Sequence, residues 1–255
     1  MKKITSNKWF LYILGIFLFF GLWWILSLII NEPIRILPTP WSTIAYFKEI
    51  FSSSYLYISI GYTFLRMIIG FAISILFATI FGLLAGNYPK FKALLEPTMT
   101  ALKSIPTVAV IFLFLALVGA KNSPILIVVL MSFPILYESI VGGMESIPQE
   151  IIDSTKVDGS NKCNEILKVK IPLAFPYFVV GILSSFSMSF KIEIMAEIIS
   201  GDTSYGLGVA IKTMRNENPG NVIPLFSFCL VAVLLMLLVS FLGKIIKSKI
   251  SKKIK

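Results

Sequence analysis

SIPQEIIDSTKVDGSNKCNEILKVKIP, residues 146–172, is a strongly polar stretch between two apolar runs of membrane length. The first run ends at Tyr137 and the second begins at Ile171. Hydrocarbon offers no hydrogen bonds to polar groups, so a polar segment of this length lies outside the membrane core. Its charged residues are Glu150, Asp153, Lys156, Asp158, Lys162, Glu165, Lys168 and Lys170.

The first half of this stretch predicts a short helix on the membrane surface. Ser146 and Gln149 have the spacing of a capping box, and Pro148 suits the first turn of a helix. A helical period then predicts an apolar face along the segment. That face comprises Ile147, Ile151, Ile152 and Thr155.

The second half predicts a turn and another short helix. Gly159 permits a sharp turn, and Glu165 and Lys168 stand three apart on a helix that leads into Ile171 and Pro172. Two short helices joined by a glycine turn form a shape that suits docking into a groove of a partner protein.

The composition is that of a polytopic membrane protein. Of the 255 residues 56% are hydrophobic, and the net charge is +10. Cys163 and Cys229 are too few and too far apart for a disulfide framework or a metal site, so we expect free thiols. The chain has no histidine, which removes the commonest general base and metal ligand and disfavours an enzyme.

Six apolar runs predict an all-α fold with six transmembrane helices. The first run is longer than a signal-peptide core and no small-x-small cleavage site follows it, so we expect it to be retained. The third run contains Ile105–Pro106, where a kink is expected. The runs lie at 9–30, within 60–89, at 98–119, 123–143 and 171–190, and within 222–243.

The basic residues predict the orientation of the chain. With the amino terminus inside the cell, the inner segments hold fifteen lysines and the outer segments hold six lysines or arginines. This asymmetry predicts that both termini and the 146–172 loop are cytoplasmic. The basic tail, 244–255, is interpreted as an anchor on anionic lipid, with nucleic-acid binding as the alternative.

The outer segment after the first span predicts a short helix. Thr39 suits its N-cap and Pro40 its first position, and the helix is expected to continue to Phe51. It is either an interfacial helix or a simple helix-bearing loop. The predicted organisation is therefore 1–51, a first span with this external helix, then 52–243, the membrane core, then 244–255, the tail.

Charged residues within or beside the spans are candidates for a translocation path. Arg66 must snorkel, pair or face the bundle, because a lipid-facing charge is costly. Gly82 and Gly86 form a small-xxx-small pair that allows close helix packing. Glu193 and Glu197 are the best pair of acids for an integral-membrane enzyme, but no motif accompanies them. The path candidates are Arg66, Lys103, Lys191, Glu193 and Glu197, of which the three cations suit an anionic solute.

The central loop resembles the cytoplasmic signature loop of binding-protein-dependent ABC importer permeases, Glu-Ala-Ala-x3-Gly-x9-Ile-x-Leu-Pro. Here the pattern is Asp153-Ser154-Thr155, three residues, Gly159, nine residues, then Val169-x-Ile171-Pro172. Gly159 and Pro172 match. Asp153-Ser154-Thr155 departs from the pattern but keeps an acid followed by two small residues.

Shorter segments resemble the nitrate/sulfonate/taurine branch of that family. They are the Leu-Pro-Thr-Pro of 37–40, Ala196-Glu197 and Gly206-Leu207-Gly208, while SIPTVAV and FPIL resemble family segments in general. Lys191 and Glu193 depart from the branch, which has apolar or aromatic residues there. These charges leave the solute open.

The resemblance implies the transmembrane domain of a type I ABC importer in a bacterial cell membrane. The loop at about 148–170 would be the coupling helix that inserts into an ATPase subunit, and no Gly-x4-Gly-Lys-Ser/Thr motif occurs in the chain itself. The implied partners are two ATPase subunits that use ATP, a solute-binding protein and a second copy of the permease; no cofactor is expected in this chain. The implied coupling residues are Glu150, Asp153, Ser154, Thr155, Asp158, Gly159, Ile171 and Pro172.

The solute implied by the branch is a small oxyanion, a sulfonate or taurine. A thiamine precursor, glycine betaine or an amino acid is the alternative within the ABC class. A channel or secondary transporter is the alternative outside it, although neither needs the loop around Gly159.

Overall fold

The computed structural model describes residues 8–30, 37–157, 161–201 and 205–253, and every regular element within these ranges is helical. The predicted all-α class is confirmed. The helices are α1 (Lys8–Ile30), α2 (Pro40–Ala45), α3 (Phe47–Ser52), α4 (Ser54–Asn87), α5 (Pro89–Ser104), α6 (Thr107–Glu145), α7 (Gln149–Val157), α8 (Lys162–Asn164), α9 (Ile171–Ser200), α10 (Leu207–Glu217) and α11 (Ile223–Lys253), with a π-helical turn, Glu165–Lys170, between α8 and α9.

Within the described ranges, five helices are long and apolar enough to cross a membrane, where the sequence predicted six. The difference lies in the predicted span 98–119. Helix α5 ends at Ser104, and Ile105 is extended (φ −72°, ψ 127°) because Pro106 disfavours a helical conformation in the residue before it. The five are Phe10–Ile30, Ser54–Asn87, Thr107–Glu145, Lys162–Ser200 and Ile223–Ile246.

Helix α6 is interrupted at Gly119, whose φ of 75° and ψ of 172° only glycine adopts readily. The part before it, residues 107–118, is only about 18 Å long, shorter than the ~30 Å hydrocarbon core. The number of crossings made by α5 and α6 together is therefore not decided by helix length. Six spans with both termini cytoplasmic stay a prediction.

The chain divides into two compact units, residues 1–57 with 210–233, and residues 58–209 with 234–255. In the first unit the Thr39 hydroxyl accepts a hydrogen bond from the Ser42 amide at 3.2 Å, which confirms the predicted cap. The predicted single helix through Phe51 is instead two, α2 and α3, joined at Tyr46. The Ser227 hydroxyl in α11 donates to the Thr43 carbonyl at 3.0 Å.

The core of the second unit forms where α4 lies close to α6. A Cβ atom added at Gly82 would stand 2.8 Å from Cγ2 of Ile140, and one at Gly86 would stand 2.8 Å from Cβ of Met144. The predicted role of this small-xxx-small pair in helix packing is confirmed. Fully buried side chains in this core include Ala78, Ile111, Ile127 and Val128.

Candidate functional site

The chain leaves the membrane bundle at the end of α6 and forms α7. The predicted capping box is wrong. Ser146 is the C-cap of α6, with helical φ and ψ of −74° and −7°, and its hydroxyl donates to the Gly143 carbonyl at 2.8 Å. Gln149 instead donates to the Asp153 carboxylate at 3.2 Å. The serine closes the preceding helix and so cannot cap the next one.

Helix α7 is attached to the bundle through Ile147 and Ile152. Ile147 is buried and Ile152 is half-buried, and both belong to a cluster with Met144 and Ala174. Ile151 is 37% exposed, so its predicted place on the same face is wrong. The helical period begins only at Gln149, and Ile147 precedes it; the phase counted from Ile147 therefore does not apply.

The opposite face of α7 is open. Glu150, Asp153 and Ser154 are exposed, and Val157 is 88% exposed. Thr155 is half-buried, and its hydroxyl donates to the Ile152 carbonyl at 2.7 Å. Predicted coupling residues Asp158 and Gly159 lie outside the described residues. This face is therefore accessible to a partner protein.

The chain returns to the bundle through α8 and the π-helical turn. The Asn161 side chain caps α8 by accepting from the Asn164 amide at 2.9 Å. The Ile171 amide then donates to the Ile166 carbonyl, and Pro172, which has no amide hydrogen, follows in the first turn of α9. Ile171 and Pro172 therefore lie inside one continuous helical run, 162–200.

A second cluster joins α4 to α9 inside the membrane bundle. The Arg66 guanidinium donates to the Glu197 carboxylate at 2.8 Å and to the Tyr205 carbonyl at 2.8 Å. The Arg66 side chain is 13% exposed and that of Glu197 is fully buried. Of the three outcomes that the sequence left open for Arg66, the structure shows pairing.

The Glu197 carboxylate also holds the start of α10. It accepts a hydrogen bond from the Gly208 amide at 2.9 Å and from the Thr63 hydroxyl at 2.8 Å. The same hydroxyl accepts from the Leu207 amide at 2.7 Å. A Cβ atom at Gly206 would stand 2.5 Å from this carboxylate, so the glycine allows the close approach. An anion at a helix N-terminus is favourable, and the buried charge is fully hydrogen-bonded.

Buried polar residues recur every fourth position along α9. Ser185, Ser189, Glu193 and Glu197 share one face, and the Ser189 and Ser132 hydroxyls are 2.7 Å apart. Glu193 is fully buried, and neither of its carboxyl oxygens has a hydrogen-bond partner among the described residues.

The five predicted path residues do not form one group. Arg66 and Glu197 are paired, and Glu193 lies one turn away on the same face of α9. Lys191 is exposed, and Lys103 pairs with Glu138, a partner that sequence reasoning missed. Thr63, Tyr205 and Glu138 gave no local signal, because each is far along the chain from the group it contacts.

Comparison with known proteins identifies the family of this chain. A family model described as the binding-protein-dependent transport system inner membrane component matches residues 78–255, more than half of the sequence. The chain belongs to this family of ABC importer permeases. The permease is thus a multi-pass membrane protein and a transport component.

Curated relatives of the permease differ in their named solutes. It is 27% identical to the putative aliphatic sulfonates transport permease protein SsuC of Bacillus subtilis, over 73% of this chain and 67% of the relative. It is 29% identical to the riboflavin transport system permease protein RibX of Chloroflexus aurantiacus, over 60% and 57%. It is 22% identical to the nitrate import permease protein NrtB of Leptolyngbya laminosa, over 90% and 85%. The sulfonate and nitrate relatives confirm the predicted branch.

The fold of the permease matches that of solved transporters. It is similar to a structure described as an amino acid ABC transporter with histidines, with a TM-score of 0.68 and 13% identity, over 80% of this chain and 98% of that chain. At this identity the likeness shows the fold alone, and it confirms the predicted importer fold class.

The permease also carries a charged groove between α5 and α6. Lys92 pairs with Glu145 at 2.5 Å, and this hydrogen bond raises the pKa of Lys92 above its ordinary value. The Lys103–Glu138 pair lies further along the same groove, which encloses about 290 Å³.

Proposed function

We propose that this permease carries a small solute across the membrane in a complex of two permease copies, two ATPase subunits and a solute-binding protein. The single observation that carries the coupling role is the build of α7. Ile152 of α7 and Ile147, just before the helix, pack against the ends of α6 and α9, while the face with Val157 is open to a partner.

This build lets a partner move the membrane helices. ATP binding brings two ATPase subunits together, and each would draw its docked α7 with it. Because Ile147 and Ile152 pack on Met144 of α6 and Ala174 of α9, the displacement passes directly to those helices. A change from mostly inward-facing to mostly outward-facing needs about 5 kcal/mol of differential ATP affinity between the two states.

The solute is proposed to be a small oxyanion or sulfonate, as in the sulfonate and nitrate relatives. The riboflavin relative supports the alternative of a heterocycle. Identification of the ligand of the solute-binding protein that acts with this permease decides between them.

The coupling role is tested by variants on the open face of α7 in the complete complex, reconstituted in vesicles. Val157→Glu places a charge on the proposed docking face, and Gly159→Trp places a bulky side chain where the sequence predicts a turn. Both are expected to insert normally and to lower uptake about tenfold, the equivalent of ~1.4 kcal/mol of docking free energy. Hydrolysis of ATP would continue while transport falls.

Val157→Thr is the matched control, since threonine keeps the shape of valine without a charge. It should transport as the native permease does. Normal uptake by both Val157→Glu and Gly159→Trp would show that α7 does not dock on the ATPase.

A further inference from the structure

Two ion pairs line the groove between α5 and α6, and both are open on one side. The exposed fractions are 37% for the Lys92 and 51% for the Glu145 side chain, and 41% for the Lys103 and 49% for the Glu138 side chain. The Arg66–Glu197 pair of the same unit is by contrast sealed, at 13% and 0%. The groove pairs are thus accessible where the Arg66 pair is structural.

The position of Glu138 argues against lipid as the medium in this groove. Glu138 lies two turns before the end of α6, a helix long and apolar enough to cross the membrane. A charged side chain that faces hydrocarbon is costly, and such residues face a bundle interior or a water-filled cavity. The half-exposed Lys103–Glu138 pair therefore faces water.

Tyr137 adds a separate sign that the groove takes a ligand. Its ring is buried, with only 4% of the residue exposed, and it lines the groove. Its hydroxyl has no hydrogen-bond partner among the described residues. Buried hydroxyls are almost always satisfied, so this unpartnered hydroxyl is available to a polar group that enters the groove.

The charged side chains that line the groove limit which kind of ligand can bind there. Each lysine that lines it is already beside a carboxylate, and Glu96 adds a third acid. A simple anion drawn to either lysine would also meet that carboxylate, and like charges brought together disfavour binding. A solute that carries both an anionic and a cationic group can pair with the lysine and with the carboxylate at the same time.

We propose that this groove is a water-filled binding site on the solute's route, and that it takes a small zwitterion. The anionic group binds Lys103, the cationic group binds Glu138, and the Tyr137 hydroxyl supplies a further hydrogen bond. The volume of about 290 Å³ is at the lower end of the range for ligand pockets, which suits a small solute. The inference rests on the proposed transport function, and among the proposed solutes it favours a sulfonate that also carries an ammonium group over a plain oxyanion.

The test uses a cysteine at Thr100, an exposed residue that lines the groove. Thr100→Cys is made in the full chain with Cys163→Ser and Cys229→Ala, and vesicles of both orientations are treated with a charged, water-soluble thiol reagent. Thr100→Cys is expected to be labelled. Leu117→Cys, at an apolar position that is 67% exposed, is the control and is expected to stay unlabelled. Failure to label Thr100→Cys in either orientation would overturn the proposal.

Protection by matched solutes then tests the ligand class. The probes are 2-aminoethanesulfonate against ethanesulfonate, and β-alanine against propionate, which differ only in the ammonium group. The zwitterions are expected to slow labelling about tenfold when nine-tenths of the sites are filled. The plain anions should have no effect. Protection by the anions alone, or by none of the four probes, would overturn the proposal.

Variants of the ion pair assign the two charges. Glu138→Gln should let ethanesulfonate protect as well, and Lys103→Met should abolish protection by every probe. The double variant leaves no unpaired charge and guards against misfolding; it should label as the native groove does and show no protection. The assay needs neither ATP nor coupling, so its outcome is independent of the α7 test. Unchanged discrimination in Glu138→Gln would exclude the role given to Glu138.

Discussion

Glu197 is a fully buried carboxylate whose hydrogen bonds come from Arg66, Thr63 and the Gly208 amide. A buried ion pair adds little net stability, because desolvation offsets most of the attraction. Loss of one partner is different, since the remaining charge is then buried without compensation. The main effect of removing Glu197 is therefore that the Arg66 charge stays buried without its counter-ion.

Glu197→Gln should destabilise the folded permease by about 3–5 kcal/mol, because the Arg66 charge loses its counter-ion. The measurement is thermal unfolding of the purified protein in detergent, followed by tryptophan fluorescence. In the Arg66→Met/Glu197→Met double variant no charge is unpaired. Its loss should be smaller than the sum of the two single losses, and strict additivity would contradict the pairing.

Glu193 lies one turn away on α9, and its removal is predicted to have little effect on stability. With full burial and no partner among the described residues, its carboxyl group is expected to be neutral, since an unpaired ionised carboxylate would be costly there. Glu193→Gln replaces a neutral carboxyl by a neutral amide of nearly the same shape. It should change stability by less than about 1 kcal/mol in the same assay. A loss as large as that of Glu197→Gln would show that Glu193 is ionised.

At the scale of helices, the spacing of residues predicted those features that depend only on neighbouring residues. Thr39 was identified as a cap, and Gly82 and Gly86 as a packing pair, from nearest-neighbour spacing alone. The capping box at Ser146 failed because the same residue closes α6, a competition that spacing does not reveal. The coupling role of the central loop stays a prediction from its spacing and its family resemblance, and Asp158 and Gly159 lie outside the described residues.

Pairs between distant segments could not be predicted in this way. Arg66 and Glu197, or Lys103 and Glu138, are joined only by the packing of helices whose order in space the sequence does not state. The five charged path residues were visible as costly residues in or beside apolar runs, which marks them as needing partners. Which partner each takes depends on tertiary structure.

The packing of α4 on α6 gives a prediction with an internal control. A Cβ atom at Gly82 would stand 2.9 Å from Cβ of Ile140, a branched side chain that has little freedom to move. Gly82→Ala should therefore destabilise the permease by about 1–3 kcal/mol through overpacking. Gly61, in the same helix, has no atom within 4 Å of such a Cβ. Gly61→Ala should be neutral or slightly stabilising in the same unfolding assay. Equal effects of the two substitutions would contradict close packing at Gly82.

For the whole molecule, the coupling role requires that α7 lie on the cytoplasmic side of the membrane, and the basic residues predict which side that is. The fifteen lysines assigned to the inner segments predict that α7 and both termini lie in the cytoplasm, where ATP is available. Five spans would instead put the termini on opposite sides. The number of spans depends on residues 89–118, where the helix is broken at Ile105–Pro106 and which end at a second break, Gly119. Those 30 residues must cross the membrane as one broken span if α7 is to share a side with the amino terminus.

Single thiols decide the orientation. Cys163, in α8, is free and exposed, and with Cys229→Ala it is the only thiol in the sequence. A reagent that does not cross membranes should label Cys163 in inside-out vesicles and leave it unlabelled in intact cells. Ser6→Cys and Ser248→Cys, each made with Cys163→Ser, should behave in the same way. Asn216→Cys, an exposed position in α10 on the predicted outer side, should show the reverse. Labelling of Ser248→Cys from outside with Ser6→Cys protected would establish an odd number of spans, and labelling of Cys163 from outside would remove α7 from any contact with a cytoplasmic ATPase.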